Sequence, residues 1–179
     1  LSIAPILMER YLKAAEDISG RAIVTDGSQT EKPPTHQQII FTRPGPDLPR
    51  REAARMILER LAFRAYRRPA TDVELERLLR LIDTANEQGE SFEESIQLAL
   101  QTILVSPNFL FKVELHPPST DPQKIQKLSE YELATRMSYF LWSSMPDDKL
   151  FQHARQGTLR DNLDAQVRRM LKDSKSQAL

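Results

Sequence analysis

The chain has 179 residues, enough for one ordinary domain or two small ones, and 40% hydrophobic content suffices for a core. Its 25 basic and 25 acidic residues cancel, which removes the simplest electrostatic argument for a nucleic-acid partner or an anionic membrane. No apolar run approaches the ~20 residues of a membrane span, and the lack of cysteine excludes disulfides, thiolate zinc sites, a thiol nucleophile and covalent c-type haem attachment within the chain.

Pro5 suits the first position of a helix, where its missing N–H costs nothing. Met8, Tyr11, Leu12, Ala15 and Ile18 recur at helical spacing after it, and Gly20 is expected to end the run. Residues 20–50 carry Pro33, Pro34, Pro44, Pro46 and Pro49 and read as a linker or surface loop, in which only Gln38–Phe41 suits a short extended piece.

A second helix is predicted from about Arg50 to Arg67, with Ala54, Ile57, Leu58, Leu61 and Ala65 inward and Pro69 ending it. Thr71 with Glu74 and Ser91 with Glu94 are capping boxes, each opening a further helix. The first buries Leu75, Leu78, Leu79 and Ile82 and closes at Gly89; the second buries Ile96, Ala99, Leu100, Ile103 and Leu104. Ser106-Pro107-Asn108 breaks the pattern, and Phe109–Val113 is either a strand or one more helical turn.

After a second proline-rich stretch, His116–Pro122, a third capping box at Ser129 and Glu132 starts a helix whose inward stripe is Leu133, Met137, Phe140 and Leu141, with Trp142 also expected in the core. Pro146 begins a short helix carrying Leu150 and Ala154 and ended by Gly157. Asp161 is expected to cap a last one, with Leu163, Val167, Met170 and Leu171 inward. The fold class is therefore all-α, a bundle of antiparallel helix hairpins with proline-rich linkers and no internal repeat. The chain opens on Leu1, lacks a signal-peptide pattern and stays helix-forming to Ala178, which predicts an internal segment of a longer protein.

The sequence assembles little chemistry. Arg50, Arg51, Arg55, Arg60, Arg64, Arg67 and Arg68 make an arginine-rich helix, of which Arg60, Arg64, Arg67 and Arg68 are the candidate anion-binding residues. The competing expectation, favoured by neutral net charge, is pairing with the acidic segment from Asp72 to Glu94. Asp147 and Asp148 invite an acid–base reading, but a carboxylate directly after Pro146 is what a helix start favours. His36, His116 and His153 show no ligand spacing, so no metal site is expected, and His153 has no obvious partner. Ser106 and Ser129 serve turns and caps, with no nucleophile elbow around either. Tyr66, Phe109 and Tyr139 are the aromatics that, if exposed, would offer a stacking platform for a sugar. A helix-turn-helix reading of residues 133–158 fails because its second helix opens with two aspartates, which phosphate repels. No catalytic residue is assigned and the segment is not expected to be an enzyme; the alternatives to a structural module are a carbohydrate- or polyanion-binding module and a non-catalytic fragment of an enzyme whose active site lies outside the segment.

Two blocks resemble known families. Ile57–Thr71 (Ile-Leu-Glu-Arg-Leu-Ala-Phe-Arg-Ala-Tyr-Arg-Arg-Pro-Ala-Thr), with Leu100–Glu114, is similar to a planctomycete-type domain of unknown function. Leu128–Leu150, with its Tyr-Phe-Leu-Trp-Ser-Ser-Met-Pro-Asp-Asp core, resembles the domain that follows it in the same large proteins, and Leu1–Val24 resembles the tail of a third. The resemblance implies residues 1–20 as a helical tail, 21–49 as linker, 50–115 as a helical hairpin domain, 116–127 as linker and 128–179 as a second helical domain cut short. It further implies an exported (periplasmic or secreted) multidomain protein in which such modules accompany c-type cytochrome domains. Any haem is then expected on neighbouring domains, with no cofactor in this segment. The implied partners are neighbouring domains of the same chain, and a polysaccharide or a redox partner protein. Related chains often carry a cysteine pair near the second helix; here Phe41-Thr42-Arg43 and Ala53-Ala54 stand instead.

Overall fold

The computed structural model describes residues 5–25, 32–112 and 127–178. They are all-α, with no strand among them beyond an isolated bridge between Gly45 and Leu48. They fall into two compact units, one ending at Phe111 and the other starting at Lys112.

The first unit holds α1 (Pro5–Ala22), α2 (Pro34–Ile39), α3 (Arg50–Tyr66), α4 (Asp72–Glu87), α5 (Phe92–Leu104) and α6 (Pro107–Leu110). Helices α3, α4 and α5 pack on one another and α1 packs on α5. Ile57, Leu58, Leu79, Ile82, Ile96 and Ile103 are almost fully buried between them, and Ile23 and Ile40 join the same core. The capping boxes form as expected: Thr71 accepts from the Glu74 N–H while Glu74 accepts from Thr71, and Ser91 and Glu94 repeat the exchange. Helix α4 closes in a Schellman motif: the Gly89 N–H reaches the Asn86 carbonyl and the Glu90 N–H that of Ala85, with Gly89 at φ 82°.

Several expectations need correcting here. Residues 34–39 are helical, since Pro34 is compatible with the first helical position even though proline is excluded from helix interiors. Gly20 does not end α1, which continues to Ala22, with the Ser19 hydroxyl taken by Gln101 Nε2 of α5 at 3.0 Å. Leu12 and Ile18 are exposed, because the buried positions are Ala15 and Ser19, with Met8 and Tyr11 half-buried. Leu61 and Leu104 pack against the core without being fully enclosed. The stretch from Phe109 continues α6 to Leu110, so its helical alternative holds; Val113 and His116 lie outside the described residues.

The second unit holds α7 (Glu130–Trp142), α8 (Asp148–Gln156) and α9 (Leu163–Leu171), then a 3-10 turn at Ser174–Ala178. Ser129 and Glu132 form the third capping box. Ala134, Met137, Leu141, Trp142, Leu150, Leu159 and Met170 make the core. Phe140 does not belong to it: its ring is 74% exposed. The stripe of α7 runs through Ala134, Met137, Ser138, Leu141 and Trp142, and at 100° per residue Phe140 projects well away from that line. Leu163 and Leu171 are likewise exposed, since α9 turns Gln166 and Met170 inward. Asp161 is not the cap of α9; Asn162 holds that place, without a side-chain bond to the helix. Helix α8 is capped by Asp147, whose carboxylate accepts from the Leu150 N–H, and its C-terminus closes on Gly157 at φ 69°.

Candidate functional site

The arginine-rich helix α3 is where the sequence places most cationic side chains, and the fold uses them one by one. Arg50 donates to the Glu90 and Ser91 carbonyls and to Ser95 Oγ at 2.7–2.9 Å, bracing the turn between α4 and α5. Arg51 spans Glu76 and Asp83 of α4, and these acceptors raise the proton affinity of its guanidinium further. Arg55 lies 3.6 Å from Glu52. Of the four candidate anion-binding residues, Arg60 sits with its guanidinium carbon 5.3 Å from the Phe41 ring centroid, and Arg64 is half-buried.

Arg67 and Arg68 are turned into the fold. Arg67 ends α3 in the left-handed region at φ 61°, and its side chain is buried. Its guanidinium donates to the carbonyls of Asn108 at 2.7 Å, Phe111 at 2.8 Å and Phe109 at 3.3–3.4 Å, the end of α6 where helical carbonyls lack partners. Arg68 forms a two-pronged pair with Glu74 at 2.8 and 2.9 Å. Glu74 also accepts from the Thr71 N–H and from Asn108 Nδ2. The Arg68 hydrogen bond, opposed by burial and helped by the Thr71 N–H, holds its carboxyl at about 2. The structure thus brings Arg67 and Arg68 together around Asn108 and does not bring Arg60 to that cluster.

Asp147 does pair with a second polar group, Arg169, at 2.7 and 3.2 Å. Burial alone raises its carboxyl, but Arg169 and the Leu150 N–H outweigh that and leave it below the ordinary carboxylate range. A carboxylate held ionised by a cation and a helix N–H is matched to a structural cap. His153 has partners after all: Nδ1 lies 2.9 Å from Thr158 Oγ1 and Nε2 lies 3.1 Å from Gln166 Nε2. A ring that donates from Nδ1 to Thr158 and accepts at Nε2 from Gln166 ties the end of α8 to α9. Ser106 precedes α6, and Ser129 caps α7. Tyr66 is buried, Tyr139 half-buried and Phe109 36% exposed. Among the described residues no group of three His, Asp or Glu side chains is gathered to hold a metal ion, and no helix is long and apolar enough to cross a membrane.

Sequence reasoning missed His36. It is 1% exposed, with Nδ1 accepting from the Val24 N–H at 3.1 Å and Nε2 3.0 Å from an Arg43 guanidinium nitrogen. Pro33-Pro34 ahead of a polar six-residue stretch was the only available signal, since proline at a helix start fixes the backbone there.

Residues 53–114 match the family described as protein of unknown function (DUF1595), and residues 128–179 match protein of unknown function (DUF1592). The two matches are consecutive along the chain, and both are to planctomycete-type domains of unknown function. No curated protein and no solved structure matches it.

Proposed function

We propose that the chain is a non-catalytic helical interaction module of a larger exported, cytochrome-c-associated protein, holding neighbouring domains or a redox partner protein through its outer helix faces. The observation that supports this is a division of labour on the surface. Charged groups that would be recruited for chemistry — Arg67, Arg68, Glu74, Asp147 and Arg169 — are spent on carbonyls, caps and each other. Large apolar side chains are instead left outward: Phe140 at 74%, and Ile6, Leu12 and Ile18 along α1. Of these, Phe140 is the most exposed, and its ring is the group a partner would cover. A polyanion or polysaccharide ligand, drawing on Arg60 and Arg64, is the rival reading.

The test is a titration of the purified chain with the c-type cytochrome domain of the same polypeptide, followed by amide chemical shifts. Binding weakened at least tenfold by Phe140→Ser or Ile18→Ser supports the module. A partner-independent, saturable Soret shift on adding haem, lost in His153→Ala, overturns it, as does saturable binding of a sulfated polysaccharide lost in Arg60→Ala.

A further inference from the structure

We propose that His36 is an acid-sensitive latch, fastening α2 and the chain on either side of it to the core of the first unit and releasing them when the ring is protonated. The ring is buried, and a hydrogen-bond donor faces each of its nitrogens: the Val24 N–H at Nδ1 and the Arg43 guanidinium at Nε2. A neutral ring accepts at one nitrogen only: with its proton on Nε2 it serves Val24, and Arg43 beside Nε2 is held by Glu93 instead. An imidazolium carries two N–H groups and no acceptor, so protonation leaves the buried Val24 N–H without its partner. It also sets a second cation 3.0 Å from the first.

The charged groups facing the ring come from three segments. Lys32 precedes α2 and Arg43 follows it, both positive; Glu93 on α5 is the only anion among them, and it already accepts from Arg43 at 3.1 Å and lies 4.0 Å from Lys32. Burial first, then Lys32 and Arg43, lower the ring's proton affinity, and Glu93 opposes them weakly. The latch is thus complete above the free imidazole value of ~6.5 and is lost as pH falls through the lower folded value. Burial raises the Glu93 carboxyl, but the Arg43 hydrogen bond and Lys32 hold it below its ordinary range, so it stays ionised throughout that window.

What the latch holds is apolar. Ile23 precedes Val24, and the Ile40 N–H donates to the His36 carbonyl at 2.7 Å; both isoleucines are buried against α3, α4 and α5. Release would uncover that surface in mildly acidic conditions.

The experiment follows the His36 ring resonances and the amide exchange of Val24 and Ile40 in the full chain from about pH 7.5 to 5. The ring should titrate below ~6.5, and Val24 protection should fall about tenfold for each unit separating folded and free values. His36→Gln keeps an acceptor without a titration and should hold protection flat across the range. Arg43→Gln should move the transition to higher pH. A ring titrating at or above ~6.5 overturns the proposal, as does equal acid-driven loss in His36→Gln. Should His36→Gln not fold, the wild-type ring titration and the direction of the Arg43→Gln shift decide.

Discussion

The indole Nε1 of Trp142 donates to the main-chain carbonyl of Met170 at 3.0 Å, joining the end of α7 to the end of α9. The same ring lies under two cations, with Lys175 Nζ 4.7 Å and the Arg169 guanidinium carbon 5.5 Å from it. The Arg169 side chain in turn grips the cap of α8 through Asp147. One aromatic residue therefore couples α7, α8 and α9, by packing, by a directed hydrogen bond and by charge.

Trp142→Ala should cost on the order of 3–5 kcal/mol, since it removes a nearly dry side chain and leaves the Met170 carbonyl short of a donor. Trp142→Phe also loses the N–H but keeps most of the apolar contact, so it should cost less than alanine, about the 0.5–1.5 kcal/mol of the hydrogen bond plus the lost area. Urea unfolding followed by far-UV circular dichroism separates the two, and equal losses would mean that the ring kept by phenylalanine contributes nothing once the bond is gone.

Arg67→Ala should destabilise the first unit by about 2–4 kcal/mol, because several carbonyls at the end of α6 lose a charged donor together. Arg67→Lys should recover only part, as one ammonium cannot reproduce the planar fork. Exchange of amides in α5 and α6 reads out the local effect. Full rescue by lysine would reduce the role of Arg67 to charge alone.

Acid should weaken the first unit through Glu74. Its folded value of about 2 lies below the ordinary 4.5, so its contribution is complete above pH ~4.5 and is lost as pH falls through 2. At about 1.36 kcal/mol per pKa unit, the shift corresponds to roughly 3 kcal/mol. Glu74→Gln should cost that much at neutral pH and flatten the melting temperature between about pH 5 and 2. An unchanged acid profile in the variant would assign the loss to other carboxylates of the first unit, Glu93 among them.

Phe140→Ser should leave stability within about 0.5 kcal/mol, in contrast to Leu141→Ala, for which 2–5 kcal/mol is expected. Thermal melts of the two neighbours measure the difference directly. A large loss in Phe140→Ser would show that its ring is covered in solution, against the exposed position on α7.

How much of this was legible in the sequence depended on whether the signal was local. Helix existence, and the starts at Thr71, Ser91 and Ser129, follow from capping boxes and apolar period, because a cap and its helix lie within four residues of each other. The match of Arg68 with Glu74 was foreshadowed by the surplus of acid beside the arginine helix. Which face of a helix is buried was less legible. On α7 a stripe through Phe140 and one through Trp142 fit the period about equally, and the positions of α8 and α9 selected the second. On α1 the outcome went to the small residues Ala15 and Ser19, since close approach to α5 favours them over Leu12 and Ile18. The partners of His36, Arg67 and His153 were not legible at all: each bond crosses from one element to another, and no local pattern encodes where a distant carbonyl or amide will lie. The sequence by itself determined an all-α chain with its main helix starts and its lack of thiol chemistry. Only the tertiary structure decided which polar groups are spent on the fold and which apolar ones face outward, because burial is a property of two surfaces meeting and a sequence states only one at a time.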